Sequence, residues 1–406
     1  MTKLSAVFPS LSRYRDARTR PLRIALFSGN YDCVRDGANR ALNRLVAYLE
    51  DRAGADVRIY SPTAPQKAFA SVGDIFSVKS LCIPGRPEYR LALGLTRAAR
   101  ENLAGFVPDI VHLSAPDALG RQAQKYARSA GIPVVASLHT RFETYLDYYR
   151  LGMLRRPVDA YLARFYGDAD HILAPTPPIR DELAARFGSE KLSIWSRGVD
   201  RDMFGQGLRS QAFRARLGYG PDDVVPLFFG RLVLEKGLGV FADAIAALRD
   251  RGHAVRPVVI GEGPARDWLA RRLPNVTFLG FLDGRKLGEA VASADVLINP
   301  SVTEAFGNVN LEAMASGLAV VSADVDSASA LIDDGRTGLL VPPHDANAYA
   351  DAVASLIRQP ARLRDMRQSA AVAVDRYRWD AILADVVRVY ERLAGRDPAL
   401  LYAKVA

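Results

Sequence analysis

The stretch TEAFGNVNLEAMASG (residues 303–317) carries two glutamates, Glu304 and Glu312, eight positions apart. A continuous helix turns about 100° per residue, so eight steps would leave the carboxylates roughly 80° apart around the cylinder and aimed at different targets. The flanking residues predict another arrangement. ADVLINPS (294–301) is a branched apolar run closed by Pro300 and reads as a strand. NLEAMASG reads as a helix stopped by Gly317, and LAVVSA (318–323) as a second buried strand. Strand, loop, helix and strand in that order place Glu304 in the loop and Glu312 in the first turns of the helix, where both can border one crevice. The helix amino terminus between them leaves N–H groups unpaired and carries partial positive charge. It is a phosphate site flanked by two side chains that only accept hydrogen bonds.

A second group of charges lies upstream. FFGRLVLEKGL (228–238) turns out of a strand at Gly230, then presents Arg231 and, five residues later, Lys236. Two cations at the carboxyl end of a strand suit a diphosphate, arginine as a fork and lysine as a point charge. Taken alone, Lys236 could equally pair with Glu235 on the surface.

The elements that must hold these groups form two series. Strand-like runs at 22–28, 57–62, 110–114, 133–140 and 171–176 alternate with helical patterns, and a second series follows at 225–232, 256–263, 276–281, 296–301, 318–323 and 338–343. Alternation of this kind predicts an α/β protein with mostly parallel sheets covered by helices on both faces. The polar, glycine-containing stretch SRGVDRDMFGQGLRS separates the series. The expected division is a basic arm (1–20), an amino-terminal domain (21–205), a carboxyl-terminal domain (206–376) and a bracing amphipathic helix (377–406). Open sheets of this type bind ligands beyond the carboxyl ends of their strands, so two facing domains would make a cleft.

Composition narrows the classes. Apolar residues make up 49% and charged residues 24% of the 406, a soluble globular balance, with no apolar run near the roughly 20 residues a spanning helix needs. Lysine and arginine outnumber the acids by nine, which points to an anionic partner. Nucleic acid is disfavoured, because basic residues interleaved with exposed aromatics are not evident. Cys33 and Cys82 propose neither a disulfide framework nor a metal site, and a reducing cytoplasm is the simplest home. A dinucleotide fingerprint fails too. GEGPAR (261–266) has Arg266 at the third glycine position, and Gly29 and Gly37 stand too far apart. Asp-x-Asp pairs at 168/170, 200/202 and 324/326 occur near chance frequency, and no metal is expected.

GRLVLEKG, VIGEGP, FLGF, SVTEAFGNVNLEAMASG and GLLVPP, in this order, closely resemble the retaining glycosyltransferases of family 4. The match spans about residues 225–345; in the first half RDGAN, SLHTRFETY and SRGVD resemble the family more loosely. The resemblance implies the GT-B architecture, two facing Rossmann-like domains with an interdomain cleft. It also implies a role for each matching residue. Arg231 and Lys236 would bind the donor diphosphate and stabilise the leaving group; Glu304 would face the donor sugar. The backbone N–H groups of Phe306, Gly307, Asn308 and Val309 would contact sugar and phosphate, and Glu312 would take the ribose hydroxyls. His139, after the strand PVVASLHT, would lie beside the reacting sugar, and Gly37 would let the first loop approach the diphosphate. The charged Arg35-Asp36 beside it departs from the commoner paired-glycine loop. Retention would proceed on one face of the sugar, with the departing phosphate oxygen taking the acceptor's proton and no cofactor or metal.

Within the family the chain looks closest to bacterial enzymes passing mannose or a related hexose to lipids. Asp283, after FLGFL, stands where the base should rest and could accept from guanine's N1–H and N2–H₂ edge, which favours GDP-mannose over a UDP-hexose. A turn-forming Asp-Gly at 283 and 284 explains it equally well. The basic arm, Arg155/Arg156 and the helical stripe Arg121, Lys125 and Arg128 could lay the first half on an anionic membrane, giving a peripheral protein on the inner face with a lipid or glycolipid acceptor. The alternatives are a UDP-sugar transferase with a soluble acceptor, or an inactive sugar-nucleotide-binding protein.

Overall fold

The computed structural model describes residues 20–34, 37–64, 67–83, 86–139, 153 and 155–396. The arm before Arg20, the Arg35-Asp36 pair and the TRFETY part of the histidine segment lie outside them. The chain separates into two compact units, residues 1–195 with 380–406, and residues 196–379. The expected joint near 205 compares with a division between Trp195 and Ser196, and the expected bracing tail groups from Asp380 with the first unit.

In the first unit the elements run β1 (Arg23–Phe27), α1 (Gly37–Asp51), β2 (Asp56–Ser61), β3 (Asp74–Ser77), β4 (Ser80–Ile83), β5 (Arg86–Ala92), α2 (Arg97–Phe106), β6 (Ile110–Leu113), α3 (Ala118–Ser129), β7 (Val134–Ser137), α4 (Arg155–Gly167), β8 (His171–Ala174), α5 (Pro177–Phe187) and β9 (Leu192–Ile194). Among the described residues the sheet has seven strands in the order β3-β2-β1-β6-β7-β8-β9, all parallel, while β4 and β5 form a separate antiparallel ribbon. Burial explains the strands: IALF of β1 and all of β6, β7 and β8 are covered on both faces, as continuous apolar runs require. The side chain of Asp117 starts α3 by accepting from the Gly120 amide at 2.7 Å.

The second unit continues with α6 (Gln211–Arg216), β10 (Pro226–Phe229), α7 (Leu238–Asp250), β11 (Val258–Ile260), α8 (Arg266–Arg272), β12 (Thr277–Phe278), α9 (Gly284–Ala292), β13 (Val296–Asn299), α10 (Asn308–Ala315), β14 (Ala319–Ala323), α11 (Asp326–Ser329), β15 (Leu339–Val341), α12 (Ala346–Arg358) and α13 (Pro360–Ala373). Its parallel sheet has the order β12-β11-β10-β13-β14-β15. Strand alternation divides the core: Phe228 packs with Phe241, Ile245 and Tyr349 on one face, while Leu227 and Phe229 pack with Leu311 and Met314 on the other.

The last helix, α14 (Trp379–Leu393), buries Ile382, Leu383, Val386, Val389 and Tyr390, and Tyr390 bonds to His112 of β6. From Asp380 onward the helix groups with the first unit. Both sheets wind outward from a first strand and then return to its other side. The order reverses between β1 and β6 in one unit and between β10 and β13 in the other. These reversals open the crevices in which doubly wound sheets bind ligands.

Candidate functional site

β10 and β13 are shorter than their apolar runs because the last residues leave the sheet for the loops that carry the candidate residues. β10 ends at Phe229, and the chain then runs through Gly230 and Arg231 to a short 3₁₀ turn ending at Lys236. β13 ends at Asn299, where Pro300 has no N–H to continue the ladder. The two loops are neighbours because β10 and β13 are paired. Gly237 seals the approach: its backbone is left-handed (φ 75°), and a Cβ there would lie 2.7 Å from the Pro300 carbonyl oxygen.

This contact brings the two sequence groups together. Lys236 Nζ donates to Glu304 Oε1 at 2.5 Å, and both side chains are only about one-fifth exposed. The neighbour Glu235 is not its partner in this pair. Ser301 Oγ also donates to Glu304 Oε1, at 3.4 Å. Arg231 stands nearby in sequence but differs in state. It is exposed, and among the described residues its guanidinium makes no hydrogen bond or ion pair.

Between Glu304 and Glu312 the chain turns at Gly307 (φ 87°, ψ 49°) and enters α10 at Asn308. No side chain caps this helix, so the leading amides, from Asn308 and Val309 onward, lack intrahelical acceptors and keep the positive end of the dipole. Phe306 contributes only backbone here, since its ring is buried against Tyr377 with centroids 6.0 Å apart. Glu312 is half-buried in the second turn of α10. Asp283 is exposed beyond the carboxyl end of β12 in an extended conformation (φ −141°, ψ 172°). It stands at the residue before α9, and its side chain makes no cap hydrogen bond to that helix.

The sequence reading missed the fastening of α10. Asn299 Nδ2 donates to Asn310 Oδ1 at 2.8 Å, Asn310 Nδ2 donates to Ser322 Oγ at 3.2 Å, and the Ser301 amide donates to Asn299 Oδ1 at 3.3 Å. All four residues are buried. This network ties the helix start to β13 and β14. Its only sequence signal is an asparagine on the same helical face as Leu311 and Met314, where a polar side chain needs a partner.

In the first unit Gly37 is the first residue of α1, and His139 lies two residues past β7. His139 Nε2 meets Ser137 Oγ at 2.8 Å, Ser137 Oγ meets His112 Nε2 at 2.8 Å, and His112 Nδ1 meets the Tyr390 hydroxyl. Burial holds His112 far below the usual histidine range, at about 3, and raises the Tyr390 hydroxyl above its ordinary value, so both stay neutral. The chain has a direction. Tyr390 is fully buried, and its O–H has no other acceptor among the described residues, so it must donate to His112 Nδ1. His112 Nε2–H then donates to Ser137, and Ser137 donates to His139 at 2.8 Å in preference to the Leu113 carbonyl at 3.5 Å. Hydrogen bonding thereby assigns the His139 proton to Nδ1.

Two expectations meet other chemistry. Arg121 and Arg128 of the stripe expected to face lipid both pair with Asp168 at 2.7 Å, and Asp168 is held below the usual carboxylate range with those arginines opposing its desolvation. Asp170, the other half of that Asp-x-Asp, accepts instead from the Val134 amide at 2.8 Å. Among the described residues no group of three or more histidine, cysteine and acidic side chains could hold a metal. Cavities of about 880 Å³, beside Asp333 and Arg376, and about 580 Å³, beside Arg209 and Arg367, also occur in the second unit. They include none of Arg231, Lys236, Glu304 or Glu312.

The comparisons agree with this arrangement of sheets and loops. The family described as "Glycosyl transferases group 1" matches residues 223–359, and "Glycosyltransferase Family 4" matches residues 35–203. A GDP-mannose-dependent alpha-mannosyltransferase of Mycobacterium tuberculosis is 31% identical over 386 residues, covering 92% of this chain and 98% of its own. The chain belongs to glycosyltransferase family 4. Sulfoquinovosyl transferase SQD2 of Arabidopsis thaliana is 29% identical over 376 residues, covering 90% of this chain and 72% of its own. Among solved structures, sucrose-phosphate synthase from Thermosynechococcus elongatus superposes with a TM-score of 0.72 at 21% identity, covering 93% of this chain and all of its own. That likeness shows the GT-B fold. Among the described residues no helix is long and apolar enough to cross a membrane.

Proposed function

We propose that this family 4 enzyme transfers a hexose, with retention, from a nucleotide diphosphate sugar to a lipid or lipid-linked acceptor, and that GDP-mannose is the donor. The observation that carries the donor part is the Lys236–Glu304 pair, which joins the loops after the neighbouring strands β10 and β13 beside the uncapped start of α10; Arg231, unpaired among the described residues, lies in the same β10 loop. In this reading the diphosphate lies on the α10 amides. Arg231 and Lys236 meet the charge that grows on the departing phosphate, which is binding specific to the transition state. These groups supply the positive charge that a metal provides elsewhere, so no metal is needed. Glu304, held by Lys236 and Ser301, presents its remaining acceptor positions to the sugar hydroxyls. Glu312 takes the ribose, and the exposed Asp283 takes the base edge.

His139, with its proton on Nδ1, is the proposed donor to a hydroxyl of the reacting sugar. As the bond to the diphosphate breaks, the acceptor oxygen attacks from the same face and its proton passes to the departing phosphate oxygen. GDP-mannose is favoured by Asp283 and by the name of the mycobacterial relative. The test is enzyme-dependent nucleotide release from a panel of UDP-, GDP- and ADP-sugars, with Glu304→Gln beside the parent. Release from GDP-mannose that drops sharply in the variant supports the assignment; release untouched by Glu304→Gln removes it.

A further inference from the structure

The ribbon of β4 and β5 lies outside the parallel sheet, and among the described residues one of its faces is uncovered. Leu81 and Leu91 face each other directly across the ribbon, and the pairing continues at its base, where the Leu93 amide donates to the Lys79 carbonyl at 2.9 Å. With a period of two, Lys79 and Leu81 share a face with Leu91 and Leu93, and exposed Ile83 flanks it beyond the register shift between Cys82 and Ile83. The aliphatic members are 58% (Leu81), 39% (Ile83), 52% (Leu91) and 53% (Leu93) exposed. The opposite face carries Ser80, exposed Cys82, Arg90 and buried Ala92. Arg90 donates to Ser80 Oγ at 3.1 Å, and its backbone exchanges hydrogen bonds with the Asn30 side chain, at 2.9 Å to Oδ1 and 3.4 Å from Nδ2. The ribbon is thus fastened to the loop after β1 that leads toward Gly37, at the carboxyl end of the first sheet.

We propose that this face is the protein's membrane-docking surface, with Ile83, Leu81, Leu91 and Leu93 entering the headgroup–acyl boundary of an anionic bilayer and Lys79 at its rim. Size argues against a protein partner: four half-exposed aliphatic side chains offer roughly 300–400 Å², under half of the ~800 Å² that each partner buries in a stable interface. Hydrocarbon demands no shape complementarity, so a small apolar face suffices there. Exposed Lys79, opposite Leu93, is placed to keep its ammonium among lipid phosphates while its stem lies along the leucines. Of the expected basic stripe on α3, Arg121 and Arg128 share Asp168, while Lys125 is exposed, so the stripe can add charge beside a lipid surface but offers no apolar anchor. The purpose of docking rests on the proposed lipid-linked acceptor, but the docking itself does not.

The test is co-sedimentation of the full chain with phosphatidylcholine–phosphatidylglycerol vesicles, comparing the parent with Leu81→Ser/Leu91→Ser. Nucleotide release and sedimentation velocity are measured on both. The expected result is a vesicle partition coefficient at least about tenfold lower in the variant, with nucleotide release to water or a soluble acceptor unchanged. A parent that does not sediment with vesicles, or a variant that sediments equally, overturns the proposal. So does a parent dimer that the substitutions dissociate without changing vesicle partition, which would make the face a contact between two copies. As a second readout, Leu91→Trp should show a blue-shifted emission with vesicles; no shift counts against docking. If no sugar nucleotide is turned over by the parent, the proposed function falls while the vesicle result still decides the ribbon's role.

Discussion

Replacing Lys236 with methionine separates a structural from a catalytic role for the Lys236–Glu304 pair. The ammonium and carboxylate meet at 2.5 Å with about one-fifth of each side chain exposed. A partly solvated pair of this kind contributes on the order of 1 kcal/mol to stability, and the methionine stem keeps most of the packing. In a unit of this size that loss shifts Tm by roughly 2–4 °C. Glu304 also retains the Ser301 hydroxyl, so its carboxylate is not abandoned in an apolar site. The catalytic loss is expected to be much larger, because removing one preorganised positive partner of a developing oxyanion costs about 10²–10³ in kcat. The assay is initial-rate nucleotide release at saturating and limiting donor, with calorimetric Tm measured on the same preparations. A fall in kcat of less than about tenfold, or a Tm loss large enough to account for the inactivity, refutes the assignment of Lys236 to the leaving group.

Arg231→Ala offers the contrast: the side chain is exposed and unpaired among the described residues, so stability in urea unfolding should change by no more than about 0.5 kcal/mol while kcat/KM for the donor drops about a hundredfold. Asn310→Leu should cost about 1–3 kcal/mol in urea unfolding, because it strands the Asn299 amide and the Ser322 hydroxyl in a buried site. Tyr390→Phe removes the donor that orders the His112–Ser137–His139 chain. Imidazole ¹⁵N spectra should then change from the Nδ1–H form of His139 to a mixture, and an unchanged spectrum would show that Tyr390 does not set it. Acid stability follows from the buried histidines His112 and His171, whose values burial lowers to about 3 and about 4, Arg392 adding to the effect at His171. The unfolded chain binds their protons first, so the stability they confer is complete above about pH 6.5 and is lost as pH falls toward the folded values, by about 2 kcal/mol each at pH 5. His112→Gln should flatten that part of the urea midpoint's pH profile.

The sequence made most of the architecture legible because buried parallel strands announce themselves: RIALF, IVHL, VLIN and AVVSA are runs that only a sheet covered on both sides can hide. The strands that the sequence does not mark, β3, β4, β5 and β9, lack such a run. In β3, which is largely solvent-accessible at the edge of its sheet, and in the exposed β4–β5 ribbon, pairing is set by neighbours more than by an apolar pattern. Glu304, Lys236 and the start of α10 were readable because the glycines and proline around them mark where backbone leaves a sheet. Their mutual contact was not, since Lys236 had a nearer candidate in Glu235. The partners of Asn310, His112 and Tyr390 could not be read either. They are separated by up to 278 positions and meet only once the sheets are wound.

The most direct measurement of the central claim is a structure of the chain with a nucleotide diphosphate bound. The account predicts diphosphate oxygens within hydrogen-bond reach of the Arg231 guanidinium, the Lys236 ammonium and the Asn308 and Val309 amides, with Glu312 on the ribose. A diphosphate resting on another loop, with Lys236 and Glu304 still paired and Arg231 untouched, would contradict it.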